Sequence, residues 1–224
     1  MTVTDVNVVK SAIFERPDDA NKGTLGSLLC VCGSYGMAGA AVMSAKGALR
    51  TGIGLAKCAL PRSIYPIVAQ TILESVYYPL SENADGRISK VNVPFLVSES
   101  CKSSATLVGC GLGVCDDTLK IVFSFIENST TPLVLDADAL NCVAKQPEIL
   151  LRKKAPIIIT PHPGEMSRLT GLSSPLVNAE RERVALDFAQ KYGVVTVLKG
   201  AGTVIASPNG KVLVNPTGNS GMAT

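Results

Sequence analysis

The sequence predicts a three-layer α/β/α domain, in which helices cover both faces of a mostly parallel central sheet and an antiparallel hairpin lies at one edge. Short apolar runs alternate with segments of helical spacing along nearly the whole chain. Strands separated by helices form right-handed βαβ units, which place neighbouring strands in parallel. The 224 residues, 46% of them hydrophobic, suffice for one domain with a sizeable core.

Each predicted strand is a short apolar run that is bounded by Gly, Pro or Asp. These runs occupy residues 28–32, 55–60, 107–110, 133–136, 157–160 and 194–198. Helical spacing predicts helices at 38–50, 118–127 and 178–191, and Gly52 ends the first of them. Near the end of the chain, runs at 203–206 and 211–214 flank the segment SPNG, whose Asn-Gly pair predicts the hairpin.

Charge and cysteine content exclude several classes of protein. The net charge of +3 comes from 21 basic and 18 acidic residues without a basic run, so nucleic-acid binding is not predicted. Seven cysteines without a C-x-x-C fit reduced, buried thiols in a cytoplasmic protein better than disulfides or a zinc site. Residues 1–22 are polar and no apolar stretch is long enough to cross a bilayer, so neither a signal peptide nor membrane association is predicted.

Two glycine-rich loops follow predicted strands, where the ligands of such sheets bind. Residues 33–41 (GSYGMAGAA) lead into a helix, and the free N–H groups at a helix start favour anions. The alternate glycines Gly109, Gly111 and Gly113 leave room for a ligand across a strand end. In both loops a tight turn or a bulge would use the same residues equally well.

Carboxylates and the single histidine follow the next strands. Asp136 and Asp138 could hold Mg²⁺, orient a hydroxyl, or cap the following helix. His162 lies between two prolines, in a rigid turn that favours ligand contact over a purely structural role. It is not expected to bind a transition metal, because such sites need three or four protein ligands. Glu165 either favours the dipole at a helix start or binds Mg²⁺ through water.

The loop 199–203 (KGAGT) combines a lysine with two glycines between two predicted strands. Its N–H groups and its ammonium suit a phosphate or an adenine nucleotide. A plain β-turn is the alternative, and it is the weaker one because the nearby residues 217–221 are also rich in glycine.

Taken together and in this order, the motifs resemble those of the ADP/ATP-dependent NAD(P)H-hydrate dehydratases, a carbohydrate-kinase-like family within the ribokinase-like superfamily. The matching stretches cover nearly all of 22–224; they are KGTLGSLLCVCGSYGMAGAAVMSAKGALRTGIGLAKCALP, GCGLG, VLDADALN, ITPHPGE, VLKGAGTVIA and NPTGNSGMAT. The resemblance implies a ribokinase-like domain that repairs NADH or NADPH hydrated at the nicotinamide ring. ADP or ATP, with Mg²⁺, would activate the C6 hydroxyl, and elimination would return the reduced cofactor.

The resemblance also implies a role for each matching residue. The hydrated nicotinamide nucleotide would contact Ala40, Ala41, Gly111, Gly113 and His162. The adenine nucleotide would be bound by Lys199, Gly200, Ala201, Gly202 and Thr203. Asp138 and Glu165 resemble positions near Mg²⁺ and the phosphates.

One family motif is missing from the sequence. In the family a G-G-x-G-D stretch follows GNSGMAT, and its Asp is the expected general base, whereas the sequence stops at Thr224. Residues 1–224 are therefore expected to be a single domain truncated before that motif, with the catalytic Asp beyond it. The family also suggests a homotetramer or larger assembly, and cooperation with an NAD(P)H-hydrate epimerase.

Two rival functions remain at this point. One is a kinase of the same superfamily that phosphorylates a hydroxymethylpyrimidine, a hydroxyethylthiazole or a sugar. PHPGE and KGAGT together disfavour it. The other is a fragment that binds nucleotide without turnover, which the end at Thr224 favours.

Overall fold

The strands form one ten-stranded sheet in the part of the chain that the structure describes. The structure is a computed structural model, and it describes residues 2–4, 9, 10, 13 and 16–222. The strands are β1 (Thr2–Val3), β2 (Ser27–Val31), β3 (Leu55–Pro61), β4 (Val76–Leu80), β5 (Ala105–Val108), β6 (Leu133–Leu135), β7 (Ile157–Ile159), β8 (Val195–Leu198), β9 (Thr203–Ala206) and β10 (Val212–Asn215).

The order across the sheet is β1-β10-β9-β8-β7-β6-β5-β2-β3-β4. Strands β2 to β8 all run parallel to one another, whereas β9 runs antiparallel to both β8 and β10. The mostly parallel sheet with its antiparallel hairpin is therefore confirmed. Outside the hairpin, the short strand β1 pairs in parallel with β10. At the opposite edge, β4 contains Pro79, which lacks a backbone donor and is tolerated on an edge strand.

Helices connect the strands at most of the crossovers. They are α1 (Ala38–Thr51), α2 (Tyr65–Thr71), α3 (Val93–Cys101), α4 (Asp116–Asn128), α5 (Asp138–Val143), α6 (Pro163–Thr170), α7 (Ser174–Ala179) and α8 (Arg181–Tyr192). Short 3-10 turns occupy Arg62–Ile64, Lys90–Asn92, Pro147–Arg152 and Ser220–Met222. Within the described ranges, no helix has the length and apolar character needed to cross a membrane.

The helix predicted at 178–191 is wrong in its extent, because the structure has two helices there. Ser173 caps the first of them, α7, by accepting a hydrogen bond from the N–H of Leu176. The backbone leaves the helical region at Glu180, with φ −124° and ψ 39°, and α8 begins at the next residue. The break places Arg181 at the start of a new helix.

Alternate side chains of β2 show the three layers of the fold. Leu29 and Val31 join the larger core cluster, which extends to α4 and α8. Cys30 and Cys32 point into a second cluster on the opposite face, with α1 and α2. Because successive side chains of a strand point to opposite faces, these two clusters are the two sides of one sheet.

The second face is only partly covered where it passes over β6 to β9. The inward side chains of these strands are buried, whereas the alternate ones are half-buried and belong to neither core cluster. These half-buried residues are Val134, Ile158, Val195, Val197 and Ile205. We refer to them as the half-covered face.

The cysteines are all free thiols, as the sequence predicts, but they are not all buried. Cys101 is exposed because it lies at the last turn of α3 and not in a strand. Cys110 and Cys115 are half-buried, in loops that leave the sheet.

Candidate functional site

The predicted site loops meet at one edge of the sheet, beyond the carboxyl ends of neighbouring strands. The loops after β2, β5, β6, β7 and β8 all leave the sheet there, because these strands are parallel and adjacent. This is the edge at which open α/β sheets bind ligands. Specific hydrogen bonds join each loop to the next.

The two glycine-rich loops pack directly on one another. The N–H of Gly33 donates to the carbonyl of Cys110 at 2.8 Å, and the buried hydroxyl of Ser34 donates to the carbonyl of Gly111 at 2.7 Å. A Cβ on Gly109 would lie 1.8 Å from the carbonyl oxygen of Asp136, at a φ of +129°. Close packing thus requires glycine at 109, whatever ligand the loop binds.

Helix α1 begins at this edge. Ala40 is half-buried, and a Cβ on Gly111 would lie 2.7 Å from its own Cβ, so the two residues share one surface. Ala41 is only 2% exposed and lies in the second core cluster. The structure therefore brings Ala40 to the edge, whereas the side chain of Ala41 packs beneath it. No side chain caps the first turn of α1, and the N–H of Ala40 donates to the carbonyl of Met37 at 3.2 Å, so the N–H groups of Ala38 and Gly39 are the ones available to an anion.

Asp136 is the centre of the polar contacts at this edge. Its Oδ1 accepts hydrogen bonds from the ammonium of Lys199 at 2.7 Å and from the hydroxyl of Thr160 at 2.6 Å, and its Oδ2 accepts one from the thiol of Cys110 at 3.3 Å. Burial alone would raise the pKa of Asp136, but the hydrogen bonds from Lys199 and Thr160 outweigh it and lower the pKa. The carboxylate therefore stays ionised beside the ammonium.

Ala137, the next residue, has a strained backbone, with φ 51° and ψ −114°. Positive φ is uncommon for a residue with a side chain, and such conformations cluster at functional sites. The turn directs Asp138 away from Asp136. Oδ2 of Asp138 accepts from the N–H of Gly113 at 2.8 Å, and Oδ1 accepts from the side-chain amide of Asn141 at 3.3 Å. Asp138 thus holds the glycine loop in place.

His162 and Glu165 cap helix α6 together. Nδ1 of His162 accepts hydrogen bonds from the N–H groups of Gly164 and Glu165, at 3.0 and 3.3 Å. In return, Oε2 of Glu165 accepts from the N–H of His162 at 2.8 Å, and its Oε1 lies 3.4 Å from Nε2 of His162. Nδ1 is therefore engaged in the cap, and the half-exposed imidazole offers its ring surface to the solvent side.

The loop 199–203 is anchored at both its backbone and its side chains. The N–H of Lys199 donates to the carbonyl of Pro161 at 2.8 Å, which ties this loop to the turn that carries His162. The guanidinium of Arg181 donates to the carbonyl of Leu198 at 2.8 Å. A cavity of about 620 Å³ opens beside the loop, between it and the junction of α7 and α8. Its lining includes Ala201 and Gly202.

Comparison with known proteins identifies the family. The model of the NAD(P)H-hydrate dehydratase family, a carbohydrate-kinase-like family, matches residues 28–224. The chain belongs to the NAD(P)H-hydrate dehydratase family. The resemblance seen in the sequence is thereby confirmed.

Relatives and solved structures agree with this assignment. The bifunctional NAD(P)H-hydrate repair enzyme Nnr of Thermofilum pendens is 40% identical over 93% of this chain and 40% of its own length. The ADP/ATP-dependent NAD(P)H-hydrate dehydratase of Bacillus subtilis, co-crystallised with ATP/Mg²⁺, has a TM-score of 0.83 and 30% identity, over 100% of this chain and 75% of its own. A ribokinase-like superfamily protein of Enterococcus faecalis agrees in fold, with a TM-score of 0.83. It is 21% identical, and the match covers 100% of this chain and 74% of its own. The chain spans about two fifths of the length of the bifunctional relatives it matches.

The carboxylates that the family resemblance places near Mg²⁺ do not form a ready protein site for the ion. Within the described part of the chain, no three His, Cys, Asp or Glu side chains are grouped so that they could hold a metal. The oxygens of Asp138 and Glu165 already accept hydrogen bonds from the protein, and Glu165 is only 5% exposed. Mg²⁺ does not fit these two residues as direct ligands.

Sequence reasoning missed two groups of residues at this candidate site. One is Arg181, whose side chain extends from the start of α8 to the carbonyl of Leu198, just before the loop 199–203. The other is the turn 83–87, where the carbonyl of Gly86 accepts from the N–H of Tyr35 at 2.9 Å and Arg87 donates to the carbonyl of Val114 at 3.2 Å. This turn braces both glycine-rich loops. Its Asn, Asp and Gly residues signal a turn, but nothing local indicates what the turn contacts.

Proposed function

We propose that this protein is an ADP- or ATP-dependent NAD(P)H-hydrate dehydratase that returns the 6S hydrate of NADH or NADPH to the reduced cofactor. The observation that carries the proposal is the link between the loop 199–203 and its neighbours. The Lys199 ammonium sits on Asp136, and the Lys199 N–H is bonded to the turn of His162. The family match and the B. subtilis enzyme support the same reaction.

The proposed reaction balances in two steps. The C6 hydroxyl of the hydrate takes a phosphoryl group from ADP or ATP and loses its proton, leaving AMP or ADP. The C6–O bond then breaks, phosphate departs with the electron pair, and the proton at C5 is lost as the 5,6 double bond forms. Phosphoryl transfer of this kind depends on positioning and on charge stabilisation more than on covalent help.

The substrate side of the proposed site is the surface made by Ala40, Gly111, Gly113 and the ring of His162. Three of these residues are supported by geometry, since Ala40 and Gly111 share one surface and His162 is half-exposed at the same sheet edge. Ala41 would contribute by packing under Ala40, because its own side chain is buried. A small, glycine-lined surface leaves room for the hydrated nicotinamide ring.

The nucleotide side is the loop 199–203, with Lys199 as its charged group. The Lys199 side chain is 43% exposed although its ammonium is paired, so the lysine is accessible to a phosphate at the loop. Mg²⁺ is expected to arrive on the phosphates of the nucleotide, as the ATP/Mg²⁺ of the B. subtilis structure supports. Asp138 and Glu165 would then act only at a distance, through water.

We further propose that residues 1–224 belong to one ribokinase-like domain that a further segment completes. The half-covered face supports this, because apolar side chains of β6 to β9 are left partly open there. The completing segment would carry the G-G-x-G-D motif and its general base. A homotetramer, a cytoplasmic location and cooperation with an epimerase remain predictions, the last supported by the bifunctional name of the relatives.

Two parallel incubations test the proposal. In the first, full-length protein is mixed with hydrated NADH and ADP, and the near-ultraviolet absorption of reduced nicotinamide is followed together with AMP and phosphate. Recovery of NADH with equimolar AMP and phosphate is expected. The second contains ATP and a hydroxymethylpyrimidine, a hydroxyethylthiazole or a sugar, and phosphorylation there without recovery of NADH in the first would identify a small-molecule kinase instead. Nucleotide binding without any turnover would identify a binding protein.

A further inference from the structure

The guanidinium of Arg181 joins the two ends of the loop 199–203. Its Nη2 donates to the carbonyl of Leu198 at 2.8 Å and to the carbonyl of Gly202 at 3.4 Å. Leu198 is the last residue of β8, and Gly202 directly precedes β9. One side chain from the start of α8 therefore fixes where the loop leaves the sheet and where it returns.

The backbone of the loop also rests directly on this guanidinium. A Cβ on Gly200 would lie 2.5 Å from Nη1 and 2.9 Å from Nη2 of Arg181. The planar group thus fills the space that a side chain at position 200 would need. Gly200 has a φ of +146°, which residues with side chains rarely adopt.

In the part of the chain that the structure describes, no carboxylate forms an ion pair with Arg181. None of the ion pairs found among the described residues includes it, and the acceptors of its hydrogen bonds are backbone carbonyls. Its Nε is buried without a hydrogen-bond partner in this part of the chain. A buried donor without a partner costs free energy and calls for an explanation.

The neighbouring Arg183 makes the contrast clear. It lines the same cavity, but it is exposed and pairs with Glu180 and, at 3.7 Å, with Asp187. Its charge is neutralised at the surface, whereas that of Arg181 is held under the loop. Of these two arginines, Arg181 is the one whose hydrogen bonds reach the ends of the loop 199–203.

We propose that Arg181 is a positioning residue for the adenine nucleotide. It holds the loop 199–203 in the shape that receives phosphate groups and places a fixed positive charge beneath it. A guanidinium suits both tasks, since its Nη2 donates to the two carbonyls, its plane lies against the loop backbone, and the group stays charged. A loop that is already ordered loses less conformational entropy on binding, and the unbalanced cation attracts the anionic nucleotide. This inference rests on the proposed function, because it requires that loop to be the nucleotide site.

The test compares Arg181→Met, Arg181→Lys and Arg183→Gln in full-length protein, by calorimetry with ADP and ATP and by steady-state kinetics. Arg181→Met should weaken ADP binding by about tenfold to a hundredfold, the effect of one charge-assisted contact. Arg181→Lys restores the charge without the fork and should fall between that variant and the wild type. The KM for hydrated NADH should not change. Arg183→Gln should leave ADP affinity within about twofold, as for other exposed ion pairs.

Wild-type affinity for ADP in both Arg181 variants would overturn the inference. Equal losses for ADP and hydrated NADH with a lower melting temperature would also overturn it, because they indicate a general structural role. If Arg181→Met does not fold, Arg181→Lys alone decides by the same two criteria.

A Lys199→Met variant separates the two proposals. If it weakens ADP binding while the Arg181 variants do not, the inference fails and the nucleotide site stands. If the wild type itself neither binds ADP nor recovers NADH, the proposed function fails as well.

Discussion

The ammonium of Lys199 lies 2.7 Å from Oδ1 of Asp136, so the loops that follow β8 and β6 are joined by an ion pair. Thr160, at the end of the strand between them, donates to the same oxygen at 2.6 Å. The Asp136 carboxylate thus links the carboxyl ends of three adjacent strands, β6, β7 and β8. The pair positions the ammonium that we assign to the nucleotide phosphates, and it also stabilises the edge of the sheet.

The first prediction concerns Asp136→Asn and its pH dependence. The pKa of Asp136 is lowered from 3.8 in the folded protein, so its contribution to stability is fully present above the unfolded pKa and disappears as the pH falls through the folded one. At pH 7 the substitution should reduce the free energy of unfolding by about 1.5–3 kcal/mol, the range for hydrogen bonds to charged groups. In acid, as the pH falls through the folded pKa, the difference should largely disappear. Urea unfolding over a series of pH values from neutral to acid measures it.

Asp187→Asn is the matched control for this experiment. Asp187 is exposed and pairs with Arg183 at 3.7 Å on the surface of α8. Its loss should cost about 0.5 kcal/mol or less at pH 7. An Asp136→Asn penalty that is the same at neutral and acid pH would contradict the role given to the ionised carboxylate.

The second prediction compares two glycines in the same protein. Gly109→Ala should reduce the free energy of unfolding by about 3 kcal/mol or more, because the new Cβ would lie 1.8 Å from the Asp136 carbonyl oxygen. Gly47→Ala, in the exposed interior of α1 with no atom within 4 Å of the new Cβ, should stabilise the protein by about 0.5–1 kcal/mol. Urea midpoints give both values, and destabilisation by both variants would refute the distinction.

Much of the fold follows from local patterns, but the contacts between loops do not. The apolar run at 28–32 predicts a strand, and the structure has one at Ser27–Val31, because a strand buried on both faces needs apolar residues throughout. The edge strand β4 was missed, since its exposed Val76 and its Pro79 weaken the pattern. The spacing of Asp136 and Asp138 likewise cannot show which carboxylate meets Lys199. The strained turn at Ala137 decides that, and the contact spans 63 residues of chain.

The third prediction separates the two roles of His162. His162→Ala removes the side chain that accepts the Gly164 and Glu165 N–H groups, and it should cost about 1 kcal/mol of stability. His162→Asn should restore most of that loss, because Asn caps helices well. Both variants lack the imidazole ring, so on the proposed function both should raise the KM for hydrated NADH more than the KM for ADP. An unchanged KM for the hydrate in both would show that His162 only caps α6.

The last prediction concerns the half-covered face. Val197 and Ile205 are directly opposite one another on β8 and β9, and both are half-buried, whereas Val204 next to Ile205 points into the main core and is only 3% exposed. Contiguous apolar patches of this kind usually mark an interaction surface. A polypeptide of residues 1–224 made alone should therefore bind a hydrophobic fluorescent dye, and the double variant Val197→Ser, Ile205→Ser should bind less. Val204→Ser should instead lower the unfolding midpoint without reducing dye binding, because it opens a defect in the core.

In full-length protein the double variant Val197→Ser, Ile205→Ser should be destabilising, since a covering segment would lose its apolar contacts there. Equal stability of wild type and double variant at full length would show that nothing packs on this face.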